Sequence, residues 1–221
     1  MNNIVNQAVE AYIRDVLPKN EGLLAEMENF AALHHIPIVH REVAKLLEVI
    51  TKINHTKAVL EVGTAIGYSS IIMCNAMEDG RVLTIEKRKD MVEKARDYIQ
   101  KAGLEERIDI LHGNAEEILP QLHRKFDLIF LDAAKGQYME FLSSCIHLLE
   151  EEGVLISDNV LYKGMVASNA YVIRRKKTIV KRMRTYLDHI MHHPSLTSCL
   201  LPIGDGVAIS YKGKEVKTWK K

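Results

Sequence analysis

Val59-Leu-Glu-Val-Gly-Thr-Ala-Ile-Gly-Tyr-Ser-Ser70 decides how this chain is read. The apolar run 58–62 predicts a buried strand. The turn bounded by Gly63 and Gly67 predicts a tight bend, and a helical pattern follows from Tyr68 to about Met77. Strand, glycine turn and helix in that order open a nucleotide-binding α/β unit. Glycine carries no Cβ to hold a ligand away from the backbone, and the first N–H groups of the helix have no partner within it.

The spacing is G-x-x-x-G. It is neither the dinucleotide fingerprint G-x-G-x-x-G nor a phosphate loop ending in G-K-[ST]. Glu61 precedes the turn, and Glu86 ends the next apolar run, Val82-Leu-Thr-Ile-Glu86. An acid beside the turn repels a pyrophosphate and tolerates a cationic ligand. S-adenosylmethionine carries a sulfonium, an ammonium and a ribose diol, and a carboxylate at the end of the second strand can accept both ribose hydroxyls. A generic strand–turn–helix with acids on a solvated rim is the competing reading.

Working outward, strands and helices alternate from residue 58. Strands are expected at 58–62, 81–86, 107–111, 126–131 and 152–157, and helices at 67–77, 88–102, 114–120, 136–149 and 171–190. Gly103 and Gly153 fit helix C-caps and turns. The strands are continuous apolar runs, as in a parallel sheet covered by helices on both faces. The chain closes with 195–201, the turn Pro202-Ile-Gly-Asp-Gly206 and 207–211, a hairpin whose last strand should run antiparallel. Before the first strand, Asn3–Leu17, Glu21–Leu33 and His40–Ile53 predict three helices. The expected division is a helical extension over 1–54 and an α/β domain over 55–221. The extension could cover a sheet edge, roof the site or form a dimer contact.

At 221 residues and 47% apolar composition the chain can bury one α/β core, and its formal charge of +1 gives no global case for a nucleic-acid or membrane partner. No apolar run approaches the roughly 20 residues of a membrane span, and Met1-Asn-Asn-Ile-Val-Asn6 lacks the features of a signal peptide. A cytoplasmic location is expected, with Cys74, Cys145 and Cys199 as reduced, partly buried thiols. The adjacent pairs His34-His35 and His192-His193 point to different faces of a helix and read as surface or cap residues.

The chemistry should lie beyond the carboxyl ends of the strands. The first delivers Glu61, the second Glu86 and the third Gly113-Asn114-Ala115. The fourth ends at Asp132, and the fifth at Asp158-Asn159. Asp132, Asp158 and Asn159 offer oxygen only, which suits Mg²⁺ or another hard divalent cation. A substrate with two adjacent oxygens could complete its coordination. Lys135, three residues past Asp132, could take a proton there.

Glu61-Val-Gly-Thr-Ala-Ile-Gly-Tyr-Ser69, Glu86, Leu131-Asp-Ala-Ala-Lys135 and Asp158-Asn-Val-Leu-Tyr-Lys-Gly164 together resemble the cation-dependent O-methyltransferases of the catechol and caffeoyl-CoA type, over roughly residues 36–211. The resemblance implies a Rossmann-like class I methyltransferase sheet of seven strands. It implies that Asp132, Asp158 and Asn159 bind the metal, that Lys135 is the general base beside Asp132, and that Glu86 holds the ribose. Ile38, Glu61, Gly63, Gly67, Tyr68, Ser69, Asn114, Ala115 and Asp132 would surround S-adenosylmethionine. Asn114 stands where many methyltransferases carry an acid. Relatives of this type often form homodimers.

Within the family the chain looks most like the bacterial branch that methylates 5-hydroxyuridine at the tRNA wobble position, where the 5-OH and O4 form a vicinal oxygen pair and the base is already single-stranded. Residues 174–184 add a local signal: Arg174, Arg175, Lys176, Lys177, Lys181, Arg182 and Arg184, with no acid among them. A phosphate backbone calls for such a stretch and a small phenol does not. Stacking on the base would fall to Tyr162, Tyr171 or another residue. A small catechol or hydroxycinnamoyl acceptor is the first rival, and a non-catalytic ligand-binding module the second.

Overall fold

In the computed structural model, which describes residues 4–214, the expected strand runs become one sheet of seven strands in the order β3-β2-β1-β4-β5-β7-β6. They are β1 Ala58–Val62, β2 Arg81–Glu86, β3 Ile108–His112, β4 Phe126–Leu131, β5 Leu149–Ser157, β6 Leu196–Leu201 and β7 Val207–Lys212. The first five pair in parallel, and β7 lies antiparallel between β5 and β6. The helices are α1 Gln7–Val16, α2 Gly22–Leu33, α3 Arg41–Ile53, α4 Tyr68–Ala76, α5 Lys89–Lys101, α6 Ala115–Ile118, α7 Tyr138–Leu148 and α8 Lys177–His192.

Alternation along each strand splits the core in two. Leu60, Val62, Ile129 and Leu155 face α7 and α8. Val59, Leu128, Phe130 and Ile156 face α3, α4 and α5. The N-terminal extension joins the second half, because Met27 and Ala31 of α2 and Val43, Ala44 and Leu47 of α3 are buried in it. Helix α1 buries no residue. Its tie is Arg14, whose Nη2 lies 2.7 Å from carboxylate oxygens of both Glu10 and buried Glu42. No helix among the described residues is long and apolar enough to cross a membrane.

Several boundaries differ from expectation for local reasons. Helix α1 begins at Gln7 because the Asn6 side chain caps it, accepting from the Ala8 N–H at 2.9 Å. Strand β5 starts at Leu149, so Gly153 lies inside a strand rather than at a cap, near a register shift in its pairing with β4. The stretch 169–176 holds two short 3-10 turns, Asn169–Tyr171 and Arg174–Lys176, and the α-helix starts only at Lys177. Four consecutive cations with no capping side chain oppose the helix dipole, whose N-terminal end is already positive. The three cysteines are free, Cys74 and Cys145 buried and Cys199 exposed, and His34 and His193 are helix C-caps.

Gly63 fixes the place where the strand order reverses. Its φ is +106°, and a Cβ there would lie 2.3 Å from the Asp132 carbonyl oxygen. Gly103 also has positive φ, +67°, yet nothing lies within 4 Å of its Cβ position. Gly63→Ala should therefore cost about 3 kcal/mol or more, against about 1–2 kcal/mol for Gly103→Ala. Urea unfolding of the two variants checks this, and equal losses would contradict it.

Candidate active site at the carboxyl edge of the sheet

Ends of β1, β2, β4 and β5 meet around a cavity of about 350 Å³, lined by Gly63, Glu86, Asn114, Ala115, Asp132 and Asn159, with Lys135 on the same wall. Backbone register assembles it. Leu131 pairs with Ser157, so Asp132 and Asp158 leave neighbouring strands side by side. The Asp132 N–H donates to the Val62 carbonyl at 3.0 Å, and the Asp158 N–H to the Leu131 carbonyl at 2.9 Å. Glu86 is aimed by two backbone donors, Ala65 N–H to Oε2 and Arg88 N–H to Oε1, each at 2.9 Å. Each oxygen keeps acceptor capacity for a further hydroxyl.

Other expected residues sit behind the wall. Asp158 is 1% exposed beneath Asn159. Gly67, with φ +85°, packs against Ala95 of α5. Tyr68 is in the core and donates to Glu28 at 2.5 Å, tying α4 to the segment before it. Ile38 packs with the core cluster, while Ile36 and Pro37 reach the cavity in its place. The extension therefore contributes to the site as well as to the core.

Glu61 is fully buried and bound by three hydroxyls. Ser69 donates to Oε1 at 2.5 Å, Thr84 donates to Oε2 at 2.6 Å, and Ser70 donates to Oε2 as well. Ser69 is thereby engaged under the cavity floor. Burial pushes the Glu61 carboxyl up to about 7, although the three donors favour its ion.

Asp132 and Asp158 form an electrostatically incomplete pair. Burial pushes both carboxyls up, the charge of Asp132 pushes Asp158 further, and the charges of Lys135 and His40 offset part of the rise. Among the described residues no lysine or arginine forms an ion pair with either, because Lys135 lies 3.7 Å from Asp205 instead. The Asp158 side chain accepts one N–H, from Asn159 at 2.6 Å. Two crowded carboxylates and an adjacent amide fit a hard divalent cation.

A second group with ligand-type atoms, Glu10, His40 and Glu42, lies together at the base of α1. There Arg14 already supplies the charge, and its Nη2 is 2.5 Å from His40 Nδ1. Burial works against the Glu42 ion, yet the His40 and Arg14 hydrogen bonds hold its carboxyl at about 2.

The seven basic residues divide. Arg184 donates to the Val166 and Met165 carbonyls and to Asn169, and Arg182 to the Gly136 carbonyl. Lys176 points inward over the Tyr162 ring, 5.7 Å from its centre, and Lys135 lies 5.1 Å from the same centre. Arg174, Arg175, Lys177 and Lys181 are left exposed. Tyr162 is buried and Tyr171 is 47% exposed.

The sequence reading missed Tyr138 and Asp205. The Tyr138 hydroxyl bridges the Leu131 and Asp158 carbonyls at 3.1 and 3.0 Å. Tyr138 opens a helix, and nothing in its sequence context marks it. Asp205 sat inside a recognised turn, and its polar side chain two residues before an apolar strand was the available signal.

A sequence model of the O-methyltransferase family matches residues 16–213. A catechol O-methyltransferase of Niastella koreensis is 34% identical over 75% of this chain and 78% of its own. Caffeoyl-CoA O-methyltransferase 2 of Populus trichocarpa is 29% identical over 92% of this chain and 88% of its own. The crystal structure of an O-methyltransferase from Bacillus cereus in complex with SAH superimposes with a TM-score of 0.82 at 28% identity, covering 93% of this chain and 97% of that one.

The Glu61 environment makes a pH prediction. Its folded pKa, about 7, lies above the ordinary 4.5. Its contribution to stability is thus fully present below pH 4.5, falls as pH rises to 7 and is flat above. Over that window the ligand-free protein in EDTA should lose up to about 3 kcal/mol relative to Glu61→Gln. Parallel pH–stability curves for the two proteins would contradict this.

Proposed function

The chain belongs to the O-methyltransferase family, and from that premise we propose that this S-adenosylmethionine-dependent enzyme is Mg²⁺-assisted and methylates 5-hydroxyuridine at the tRNA wobble position to 5-methoxyuridine. The observation that carries the chemistry is the meeting of Gly63, Glu86, Asp132, Asn159 and Lys135 on one cavity wall, with Asp158 immediately behind. Glu86, held by its two backbone donors, accepts the ribose hydroxyls. Gly63 lets the cosubstrate lie against the ends of β1 and β4. Asp132, Asp158 and Asn159 would hold the cation, which when bound would supply Lewis acidity toward the acceptor hydroxyl. Lys135 stands beside that position and, as the free amine, would take the hydroxyl proton. The O–CH3 bond would form as the sulfonium S–CH3 bond breaks, leaving the neutral thioether of S-adenosylhomocysteine, and the protein contributes position and electrostatics.

Support for an RNA acceptor is the exposed set Arg174, Arg175, Lys177 and Lys181 on the turn and helix that follow the Asn159 loop. The relatives named for catechol and caffeoyl-CoA support a second reading, the same transfer to a small compound with vicinal oxygens. A homodimer is also proposed, supported by exposed Val9, Tyr12 and Val16 on α1 and Ile53 on α3.

Labelled S-adenosylmethionine, tRNA from a strain lacking this protein and a catechol panel separate the two acceptors. Label should enter tRNA, vanish with EDTA, and fall at least about tenfold when the four exposed basic residues become alanine, since each phosphate contact adds to affinity. EDTA-sensitive label in catechols alone would discard the RNA acceptor, and no label in either would discard both.

A further inference from the structure

The hairpin turn before β7 lies against the loop that follows β5. Ser157 pairs with Ala208, which sets residues 203–206 alongside 158–163. Asp205 makes three connections from this turn. Its carbonyl accepts the Leu161 N–H at 3.0 Å, its Oδ1 accepts the Lys163 N–H, and its Oδ2 lies 3.7 Å from Lys135 Nζ. The adjacent Gly206 carbonyl accepts the Val160 N–H at 2.9 Å. Gly206 has φ +88°, and a Cβ there would meet Leu161 Cγ at 2.4 Å, so turn and loop are in close contact.

The loop so gripped is conformationally costly. Asn159, Tyr162 and Lys163 all have positive φ, at +56°, +46° and +57°. Non-glycine residues persist in that region only where surrounding contacts over-determine them. Asn159 is a proposed metal ligand, and the Tyr162 ring forms one side of the space around Lys135 Nζ. One side chain therefore joins the lysine on the β4 side to the strained loop on the β5 side.

We propose that Asp205 is a positioning residue for methyl transfer, fixing Lys135 relative to the Asn159 loop through the carboxylate they share. This rests on the roles assigned to Lys135 and Asn159 above. The two functions of the side chain can be separated. Asp205→Asn keeps an Oδ1 acceptor for the Lys163 N–H and removes the charge facing Lys135. Asp205→Ala removes both.

Steady-state kinetics on the acceptor the wild type methylates, with calorimetric Mg²⁺ titration of the same proteins, test this. Asp205→Asn should lower kcat by about 10- to 100-fold while leaving the KM for S-adenosylmethionine and the Mg²⁺ affinity within about threefold. Asp205→Ala should also weaken Mg²⁺ binding by about tenfold or more, since the Asn159 loop loses its support. Wild-type kcat in Asp205→Asn, or wild-type Mg²⁺ affinity in Asp205→Ala, would overturn the proposal. A wild type inactive on every acceptor would count against the proposed function, and the Mg²⁺ titration of Asp205→Ala would then decide the positioning role alone.

Discussion

Asp132 and Asp158 are held side by side at the ends of neighbouring strands, and among the described residues no lysine or arginine forms an ion pair with either. Much of the surrounding structure keeps that arrangement in place. Gly63 lets β1 approach the Asp132 carbonyl more closely than any side chain would permit. Tyr138 bridges the carbonyls at the ends of β4 and β5, and Asp205 binds the following loop while engaging Lys135. Burying two like charges with no direct ion-pair partner is unfavourable, so the pair makes physical sense as part of a cation site.

The cluster at the base of α1 is the instructive contrast. Glu10, His40 and Glu42 also gather ligand-type atoms, but Arg14 stands among them and its charge is internal. One acidic group is completed by an arginine, and the other has no such ion-pair partner among the described residues. The same contrast divides the basic stretch. Arg182 and Arg184 are committed to carbonyls that anchor α8, whereas Arg174, Arg175, Lys177 and Lys181 face solvent.

The sheet was legible in the sequence because its strands are continuous apolar runs ending in polar residues. Glycine and acid at those ends marked the rim on which Gly63, Glu86, Asn114, Asp132 and Asn159 meet. Side-chain direction was less legible. Glu61 and Ser69 flank the turn in sequence, yet the two-residue alternation of β1 turns Glu61 away from the cavity and into a cage of hydroxyls. Tyr68 follows Gly67 and points into the core. Side-chain pairs from outside the strand ends were not legible: the contact between Asp205 and Lys135 spans two strands and two helices. The expected helix start near 171 failed because periodicity does not register the electrostatic cost of four adjacent cations at a helix N-terminus. Trp219, the single tryptophan of the chain, lies outside the described residues.

The cation site is the claim on which the account depends, and calorimetric titration of Mg²⁺ into the metal-stripped chain tests it most directly, with Asp132→Asn and Asp158→Asn alongside. One site per chain is predicted for the wild type, weakened at least about 30-fold in each variant, as expected when one of few charged oxygen ligands is lost. Wild-type Mg²⁺ affinity in both variants would place the metal elsewhere and contradict the account.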